Sequence, residues 1–375
     1  MNTPILGVGV SRFERRSTQT IEQLSQQAVR LAVRDAGIDH RRIEAAFVGT
    51  AYGAAGQGQR ILKDLGLTGI PVTNVENACA SGAEAALLAA RAVANGDVAV
   101  ALAVGADAPS QSLAPGMIPL DPAEAVIASL GMTFPALYGM RATAHMERYG
   151  TTVEHLAAVS VKNRLHGSSN PNAVFRSPVT LAEVIASPLI ASPLTRNMSC
   201  PSADGAAAVI FGRADQGDPL AWLAGGRVES GQLVDVAAAT DALSTRTASA
   251  AFEAAGIGPQ DLDVAEVHDA FTIGELSAIE ALGIVGPGDS GPYVEAGSAT
   301  IGGGGVVVNP GGGLLARGHP MGATGVAQLV EIVEQLAGRA GQRQVEGARA
   351  GVCHTRGGGV FDLEANACGV LVLKR

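Results

Sequence analysis

The 375-residue chain has few aromatic side chains, few charges and no long uninterrupted apolar segment. Phe, Trp and Tyr make up 3% of its residues and charged residues 16%, whereas 47% are hydrophobic. No stretch reaches the roughly 18 consecutive apolar residues of a membrane span. The apolar fraction is ample for a large core, which excludes intrinsic disorder as the main state. With so few aromatics, small residues must fill that core, which favours close packing of helices on sheets.

Positive charge is also scarce. The net charge at pH 7 is −9 and the pI is near 5.3, with lysine only at Lys63, Lys162 and Lys374. Because nucleic-acid binding needs a basic surface, this balance argues against nucleic acid as the main partner. The first residues lack the basic region and long apolar run of a secretory signal. We therefore expect a cytoplasmic protein with no membrane partner.

Cysteine is rare, and its spacing excludes two classes of protein. The four cysteines show neither the close pairing of a disulfide framework nor a CxxC metal motif. We expect free thiols and no metal site. The cysteines are Cys79, Cys200, Cys353 and Cys368.

Glycine, in contrast, is abundant, with 49 residues. It shows no collagen-like period. Much of it collects at 302–305, 311–313 and 357–359. Such clusters indicate local requirements on the backbone at three places.

An internal repeat gives the organisation of the chain. Residues 27–49 and 246–268 each combine an amphipathic helix, a glycine stop within AGI, a short turn and an apolar strand. A second similarity relates the helical segments 81–93 and 324–336. The repeat predicts two similar α/β halves packed together.

The domain boundaries follow from the apolar strands. Runs such as VAVALAV are apolar throughout, as expected for a sheet covered on both faces. We predict an N-terminal half over 1–215 and a C-terminal half over 216–375. The polar, proline-containing stretch of about 109–204 is too long for a simple loop, so it should form a loop subdomain over the site.

Cys79 lies in ENACASG, immediately before a predicted helix. A thiol at a helix N-terminus feels the positive end of the helix dipole, which favours the thiolate. Small neighbouring residues would let a substrate carbonyl approach. The alternative is a buried cysteine that only packs as a small hydrophobic residue.

His319 lies in a glycine-rich loop before the second of the repeated helices. Its position corresponds to that of Cys79, so we expect the two helix starts to bring a thiol and an imidazole into one pocket. Histidine is the usual base for such a thiol. The alternative is a histidine that stabilises its own loop. No GK[ST] follows, so the loop is not a phosphate-binding P-loop.

Two further segments place polar groups after predicted strands. His268 follows the strand VAEV, where ligands usually bind in α/β folds; alternatively, Asp269 caps a helix and His268 has no role. The run 357–359 follows residues 353–356 and can turn N–H groups toward an oxyanion, although a tight turn explains its glycines equally well. Jointly, one cysteine, three histidines and two glycine-rich turns indicate acyl transfer.

Six segments, taken together, resemble those of thiolases, most closely the sterol-carrier-protein type and its bacterial and archaeal acetyl-CoA acetyltransferase-like relatives. The resemblance covers nearly the whole chain in family order. The segments are ENACASG around Cys79, HMERYGT at 145–151, NRLHGSSNPNAVFR at 163–176, SCPSADGAAAVI at 199–210, HDAF at 268–271 and GHPMGATG at 318–325.

This resemblance implies a five-layered α/β/α/β/α fold built from two repeated halves with an inserted loop domain. It also implies a homodimer or tetramer and an acyltransferase of the acetyl-CoA acetyltransferase or 3-ketoacyl-CoA thiolase type. The substrate would be a coenzyme A thioester, and no cofactor would be bound permanently.

The matching motifs imply specific roles. Cys79 would carry the acyl group, and His319 would activate it and help bind the thioester oxygen. His268 stands where ordinary thiolases have Asn and would help hold an enolate oxygen. The Cys79 N–H and the turn at Gly357 and Gly358 would form the second oxyanion hole.

One departure from the family pattern concerns the second catalytic cysteine. Both of its usual positions hold other residues, Thr355 in the CxGGG-like motif and Ala270 in HDAF. His354 would supply the acid/base instead, because imidazole titrates near neutrality. Cys353 would do so only if the turn differed from the family's.

Three functions follow as hypotheses. The first is acyl transfer through Cys79 with Claisen chemistry. The second is an altered site that cleaves by retro-aldol chemistry or acylates a non-CoA acceptor with an OB-fold/zinc-ribbon partner, and the third is a non-catalytic acyl-CoA-binding subunit. The acyl chain would be chosen within the loop subdomain, with Met132, Tyr138 and His166 as pocket candidates.

Overall fold

A computed structural model describes most of the chain. The described residues are 1–112, 126, 128–233, 241–358 and 364–375. Part of the predicted loop subdomain, 113–125 and 127, lies outside them, as does Gly359 of the tri-glycine run. None of the described helices is long and apolar enough to cross a bilayer.

The described chain alternates between strands and helices. The strands are β1 (Thr3–Val10), β2 (Ala45–Gly49), β3 (Val72–Val75), β4 (Val100–Asp107), β5 (Leu189–Ala191), β6 (Leu194–Thr195), β7 (Gly205–Gly212), β8 (Ala221–Ser230), β9 (Val264–Glu266), β10 (Val307–Val308), β11 (Ala350–Gly357) and β12 (Ala367–Lys374). The helices are α1 (Ile21–Ala36), α2 (Gln57–Lys63), α3 (Ser81–Ala94), α4 (Pro109–Ser112), α5 (Phe134–Tyr149), α6 (Val153–Ser168), α7 (Leu181–Ile185), α8 (Ala242–Ala255), α9 (Thr272–Ala281), α10 (Ser290–Glu295), α11 (Gly313–Arg317) and α12 (Met321–Leu336).

The repeated helices α1 and α8 end at the same kind of signal. Gly37 follows α1 with a φ of 63°, and Gly256 follows α8 with a φ of 65°. Glycine adopts this left-handed conformation without the steric cost of a side chain. The helix stops that the AGI segments predict are therefore confirmed.

The sheet repeats its topology. Ten strands are ordered β10-β9-β11-β12-β8-β1-β7-β4-β2-β3, and a short antiparallel pairing of β1 with β8 joins the halves. Read from the outer edges inward, β3-β2-β4-β7-β1 matches β10-β9-β11-β12-β8. Strand β4 thus corresponds to β11, and β7 corresponds to the C-terminal strand β12.

Two helices, α3 and α12, form the central layer. They contact each other and strands of both halves, α3 on β4 and β12, and α12 on β4 and β11. The opposite faces of the two half-sheets are covered by α1 and by α8. These contacts confirm the five-layered α/β/α/β/α fold.

Glycines allow the two central helices to approach closely at their N-terminal ends. A Cβ on Gly82 would lie 2.4 Å from the carbonyl oxygen of Gly322, and one on Gly325 would lie 2.5 Å from the backbone nitrogen of Ala83. Larger residues would force the helices apart. This packing holds the loops before α3 and α12 against each other.

The described part of the loop subdomain packs on the second half. Leu156 of α6 and Val184 of α7 share a core with Leu276 and Ile279 of α9. Helix α6 also contacts α10 and α11. The subdomain therefore lies beside the segment that joins β9 to α9.

Candidate active site

Cys79 is presented by a strained turn before α3. The preceding residue, Ala78, has a φ of 49°, which is unusual for a residue other than glycine. The Ser81 hydroxyl accepts a hydrogen bond from the Asn77 N–H at 2.8 Å and donates one to the Ala78 carbonyl at 2.6 Å. These bonds hold the turn that carries the thiol.

His319 lies directly across from this thiol. Its Nε2 is 3.2 Å from the Cys79 Sγ, and its Nδ1 is 2.8 Å from the Thr324 hydroxyl. The Thr324 hydroxyl donates its only proton to the Pro320 carbonyl at 3.0 Å, so it accepts from Nδ1–H. Nε2 is consequently the unprotonated nitrogen, free to accept the thiol proton.

Both members of this pair are neutral at rest. Burial raises the pKa of Cys79 to about 12, against a lowering by the Gly358 N–H and with a further increase from Asp107. Burial, with the charge of Arg317, lowers the pKa of His319 to about 3. The thiolate expected from the helix dipole is therefore not the resting form, because desolvation outweighs the dipole.

His268 completes a three-residue cluster. Its ring meets that of His319 edge to face, with centroids 5.1 Å apart. Burial, followed by the charge of His319, lowers the pKa of His268 well below its ordinary value. Its buried Nδ1 has no hydrogen-bond partner within the described residues. A neutral imidazole with an unused nitrogen can serve a polar atom of a ligand.

The cluster also has the spacing of a metal site. The ligand atoms of Cys79, His268 and His319 all lie within 4.8 Å of one another. A thiol and two imidazoles are ligands that suit zinc. The hydrogen bond between the thiol and His319, at 3.2 Å, accounts for one of these contacts without an ion.

Asp269, next to His268, caps a helix other than the one that follows it. Its carboxylate accepts the N–H groups of Leu314 at 2.6 Å and Leu315 at 3.2 Å, at the start of α11. Helix α9, in contrast, has Phe271 as its N-cap residue and no side-chain cap. Asp269 thus ties the His268 loop to the chain that leads to His319.

The glycine turn after β11 lies against Cys79. A Cβ on Gly357 would lie 2.2 Å from the Asn77 carbonyl oxygen, and Gly358 has a φ of 58°. The Gly358 N–H is hydrogen-bonded to the Cys79 thiol and lowers its pKa. Glycine is thus required here for both space and conformation, and the turn points a donor at the thiol.

His354 lies on the opposite face of β11 from its neighbours Cys353 and Thr355. Its Nε2 is 2.9 Å from the Ser244 hydroxyl, and burial lowers its pKa to about 4. Cys353 packs in the central layer, and burial raises the pKa of its thiol well above the ordinary value. Within the described residues, no hydrogen bond joins His354 to Cys79.

Of the three pocket candidates, Tyr138 alone contacts the HDAF segment within the described residues. Its ring stacks on Phe271 at a centroid distance of 4.6 Å. Met132 is 39% exposed. His166 uses Nδ1 to donate to the Asn309 carbonyl at 2.9 Å, while its Nε2 accepts the Ile301 N–H. Both ring nitrogens of His166 thus bond to the backbone, and its role in the pocket stays a prediction.

Sequence reasoning missed two residues beside the cluster. Thr324 fixes the His319 tautomer. The sequence indicates this role only by placing a hydroxyl residue in the first turn of α12, directly after His319. Cys200 lies between the loops that carry His268 and His319: its N–H donates to the Ala270 carbonyl at 2.9 Å, and the carbonyl of the adjacent Pro201 accepts the His319 N–H at 3.1 Å. The motif SCPSADG contains Cys200 but gives no indication of this position.

Comparison with known families agrees with this architecture. The family described as "Thiolase, N-terminal domain" matches residues 7–187, and that described as "Thiolase C-terminal domain-like" matches residues 225–370. The chain belongs to the thiolase family, and it is an acyltransferase of that family.

Individual relatives match nearly the whole chain. An acetyl-CoA acetyltransferase of Methanothermobacter thermautotrophicus is 39% identical over 94% of this chain and 96% of its own length. Benzoylsuccinyl-CoA thiolase subunit BbsB of Thauera aromatica is 36% identical over 95% and 94%. Sterol carrier protein 2 of Bos taurus is 35% identical over 94% of this chain and 69% of its own length.

Two solved structures share the fold. The Ltp2-ChsH2(DUF35) aldolase gives a TM-score of 0.86 at 23% identity, covering 100% of this chain and 98% of that one. Human mitochondrial 3-ketoacyl-CoA thiolase gives a TM-score of 0.73 at 16% identity, with the same coverage. At these identities the likeness concerns the fold alone.

Proposed function

We propose that Cys79 carries an acyl group taken from an acyl-CoA or a 3-ketoacyl-CoA, and that the enzyme makes or breaks a carbon–carbon bond beside a thioester. The observation that carries this proposal is the 3.2 Å contact between the Cys79 thiol and the unprotonated Nε2 of His319. It joins a nucleophile, a base and a hydroxyl that orients the base, the arrangement used in covalent catalysis.

Acylation begins with proton transfer from the thiol to His319. As the sulfur attacks the thioester carbonyl, Nε2 takes the proton, and the oxyanion is held by the N–H groups of Cys79 and Gly358. The carbon–sulfur bond to coenzyme A then breaks, and the departing thiolate takes the proton from His319. The products are acyl-Cys79 and free coenzyme A.

Cleavage of a 3-ketoacyl-CoA follows the same attack at the keto carbon. The bond between C2 and C3 breaks, and its electron pair passes into the enolate of the departing shorter thioester. The unused Nδ1 of His268 is suited to hold the enolate oxygen, directly or through water. A proton must then reach C2.

We keep His354 as the proposed acid/base for C2: burial lowers its pKa to about 4, so it is neutral near pH 7 and would pass on to C2 the proton that His319 took from the thiol. The Nδ1 of His354 is buried without a hydrogen-bond partner within the described residues, and a charge on His354 lowers the pKa of His268. Comparing thiolysis of acetoacetyl-CoA by His354→Ala and Cys353→Ala tests the assignment. We expect the larger loss in His354→Ala; equal activity of that variant and the wild type would reassign the acid.

Thiolysis of acetoacetyl-CoA by free coenzyme A tests the function as a whole. We expect acetyl-CoA to form with the wild type and with the matched control Cys368→Ala, whose thiol is buried away from the cluster, and not with Cys79→Ala. Cleavage of a substrate side chain by Cys79→Ala would instead support the retro-aldol alternative, which needs no acyl-cysteine. Binding of acyl-CoA without turnover, alone or with a partner, would support the non-catalytic alternative.

The assembly is part of the same proposal. We propose a cytoplasmic homodimer or tetramer that uses coenzyme A thioesters as substrates without a permanently bound cofactor. Within each chain, we place the boundary between the N-terminal and C-terminal halves between residues 215 and 216. An OB-fold/zinc-ribbon partner belongs to the alternative function. Light scattering of the purified chain, with and without such a partner, measures both the oligomeric state and the association.

A further inference from the structure

Two arginines, Arg141 of α5 and Arg356 of β11, converge near the proposed acyl site; we call them the arginine pair. Both donate hydrogen bonds to the carbonyl oxygen of Glu364, Arg141 at 3.3 Å. The side chain of Arg356 is 10% exposed. The two guanidinium groups therefore share one small, largely buried region.

This region is connected to the catalytic cluster by aromatic side chains. The Arg141 Cζ lies 5.3 Å from the centroid of the Tyr138 ring, which stacks on Phe271 at 4.6 Å. Phe271 belongs to the same segment as His268. The arginine pair is thus two side-chain contacts from the loop that holds a catalytic histidine.

The electrostatic interactions of Tyr138 indicate that the arginine pair and Cys79 lie close to this side chain. Burial raises the pKa of Tyr138, the charges of Arg141 and Arg356 lower it, and a charge on Cys79 raises it. The charge of Arg356 also lowers the pKa of His268. Tyr138 therefore lies within electrostatic reach of both the arginine pair and the nucleophile.

Among the described residues, one carboxylate forms an ion pair with a guanidinium group of the arginine pair. Asp241 forms an ion pair with Arg356. The Glu364 carboxylate is used by Arg246 at 2.6 Å and by the Gln232 N–H at 3.1 Å. Within the described residues, Arg141 has no carboxylate partner.

The charge of Arg141 is only partly compensated in the absence of a ligand. Burial and then the repulsion of Arg356 lower the pKa of Arg141, whereas Tyr138 and Asp241, the latter paired with Arg356, raise it. Desolvating two like charges costs free energy that an added anion would offset. A guanidinium offers a planar fork of donors that matches a carboxylate, and Arg141 uses only one of its donors on the Glu364 carbonyl.

We propose that Arg141, supported by Arg356, binds a free carboxylate on the acyl group, so that the preferred substrates are coenzyme A thioesters of dicarboxylic acids. This inference rests on the proposed function, since it takes the acyl group to lie between Cys79 and the arginine pair. Tyr138 forms the wall between the thioester and the carboxylate.

Binding to a variant that lacks the proposed nucleophile tests this specificity for dicarboxylic thioesters. In a Cys79→Ala background, titration calorimetry compares glutaryl-CoA with pentanoyl-CoA and adipyl-CoA with hexanoyl-CoA, pairs of equal chain length that differ in the carboxylate. We expect the dicarboxylic member of at least one pair to bind about tenfold more tightly. Adding Arg141→Met should reduce that ratio to below about twofold by weakening the dicarboxylic ligand only.

Two further variants make the test specific. Arg148→Met changes an exposed arginine on the same helix and should leave the ratio unchanged, whereas Arg141→Lys should keep part of it. Arg356 is not chosen, because its loss would leave Asp241 unpaired. Equal affinities within both pairs, failure of all four thioesters to bind, or equal weakening of both members by Arg141→Met would overturn the proposal.

A second readout separates this inference from the proposed function. Acylation of Cys79 in the otherwise wild-type chain is followed by mass spectrometry with the same four thioesters. Acylation without preference would retain the function and overturn the specificity. Preferential binding without any acylation would retain the specificity and overturn the function.

Discussion

The starts of α3 and α12 occupy equivalent places in the two halves but meet different groups. Asp107, the last residue of β4, accepts the Gly322 N–H at the start of α12 at 2.6 Å, together with the N–H groups of Ala51 and Tyr52. Gly357, the last residue of the equivalent strand β11, instead lies against the turn before α3.

The difference shows how a duplicated framework becomes an asymmetric site. At α12 a carboxylate occupies the helix start and fixes the His319 loop. At α3 a side chain is absent from the equivalent position, and the Gly358 N–H points at Cys79 instead. In the proposed mechanism, one half therefore supplies a fixed base, and the other leaves space and donors for a substrate oxygen.

The largest loss of activity is expected on substitution of the proposed base, His319. His319→Asn removes the acceptor of the thiol proton, so we expect kcat for thiolysis to fall by about 10² to 10⁴. Thiol alkylation measured against pH should show that Cys79 is intact and slower to react. Unchanged kcat would mean that the His319 contact is structural.

A smaller effect is expected at the residue that orients the base. Thr324→Val removes the acceptor of Nδ1–H and frees the tautomer, and we expect a loss of about 10 to 100-fold in kcat, the range seen for groups that orient a functional histidine. Thr324→Ser should restore most activity because it keeps the hydroxyl. If the valine and serine variants lose activity equally, packing rather than the hydrogen bond is responsible.

The glycine turn provides a matched comparison of conformation and contact. Gly358→Ala and Gly338→Ala both place a side chain at positive φ and should each destabilise the fold by about 1 to 2 kcal/mol. A Cβ at 358 would lie 2.6 Å from the Asn366 Nδ2, whereas one at 338 meets no atom within 4 Å. We therefore expect a loss of kcat only in Gly358→Ala, with denaturant unfolding as the measure of stability. Equal activities would remove the turn from the mechanism.

The smallest effect is expected at the carboxylate that distinguishes α12. Burial raises the pKa of Asp107 to about 6, so it is mostly ionised above that pH, and its charge raises the pKa of Cys79. Asp107→Asn removes the charge, and the pH profile of Cys79 alkylation should shift to lower pH.

The same carboxyl predicts a dependence of stability on pH. Because the pKa of Asp107 is higher in the folded state than its ordinary value of 3.8, the folded state binds the proton more tightly, and ionisation disfavours it. The stability of the wild type relative to Asp107→Asn should therefore fall as the pH rises from about 4 to 6. A constant difference would contradict the raised pKa.

The internal repeat accounts for most of the structural features that could be predicted from the sequence. Gly37 and Gly256 mark the ends of equivalent helices, and the equivalence of the loops before α3 and α12 predicted the meeting of Cys79 with His319. These features are local or periodic, so they can be recognised from the amino-acid sequence alone.

The remaining features depend on burial and on distant contacts. The neutral state of the Cys79 thiol reflects desolvation, which no spacing reveals. His166 is a pocket candidate because it lies in the predicted loop subdomain, and no sequence pattern shows that both its ring nitrogens bond to the backbone. The arginine pair joins residues more than 200 positions apart, and although Arg356 lies in the CxGGG-like motif, that motif gives no indication of Arg141.

The most direct test of the account is the mass of the chain after mixing with acetyl-CoA, followed by peptide mapping. We predict the gain of one acetyl group on Cys79, its absence in Cys79→Ala and its persistence in Cys368→Ala. An unmodified Cys79 with every acyl-CoA supplied, or an acetyl group on another residue, would contradict the assignment of Cys79 as the nucleophile.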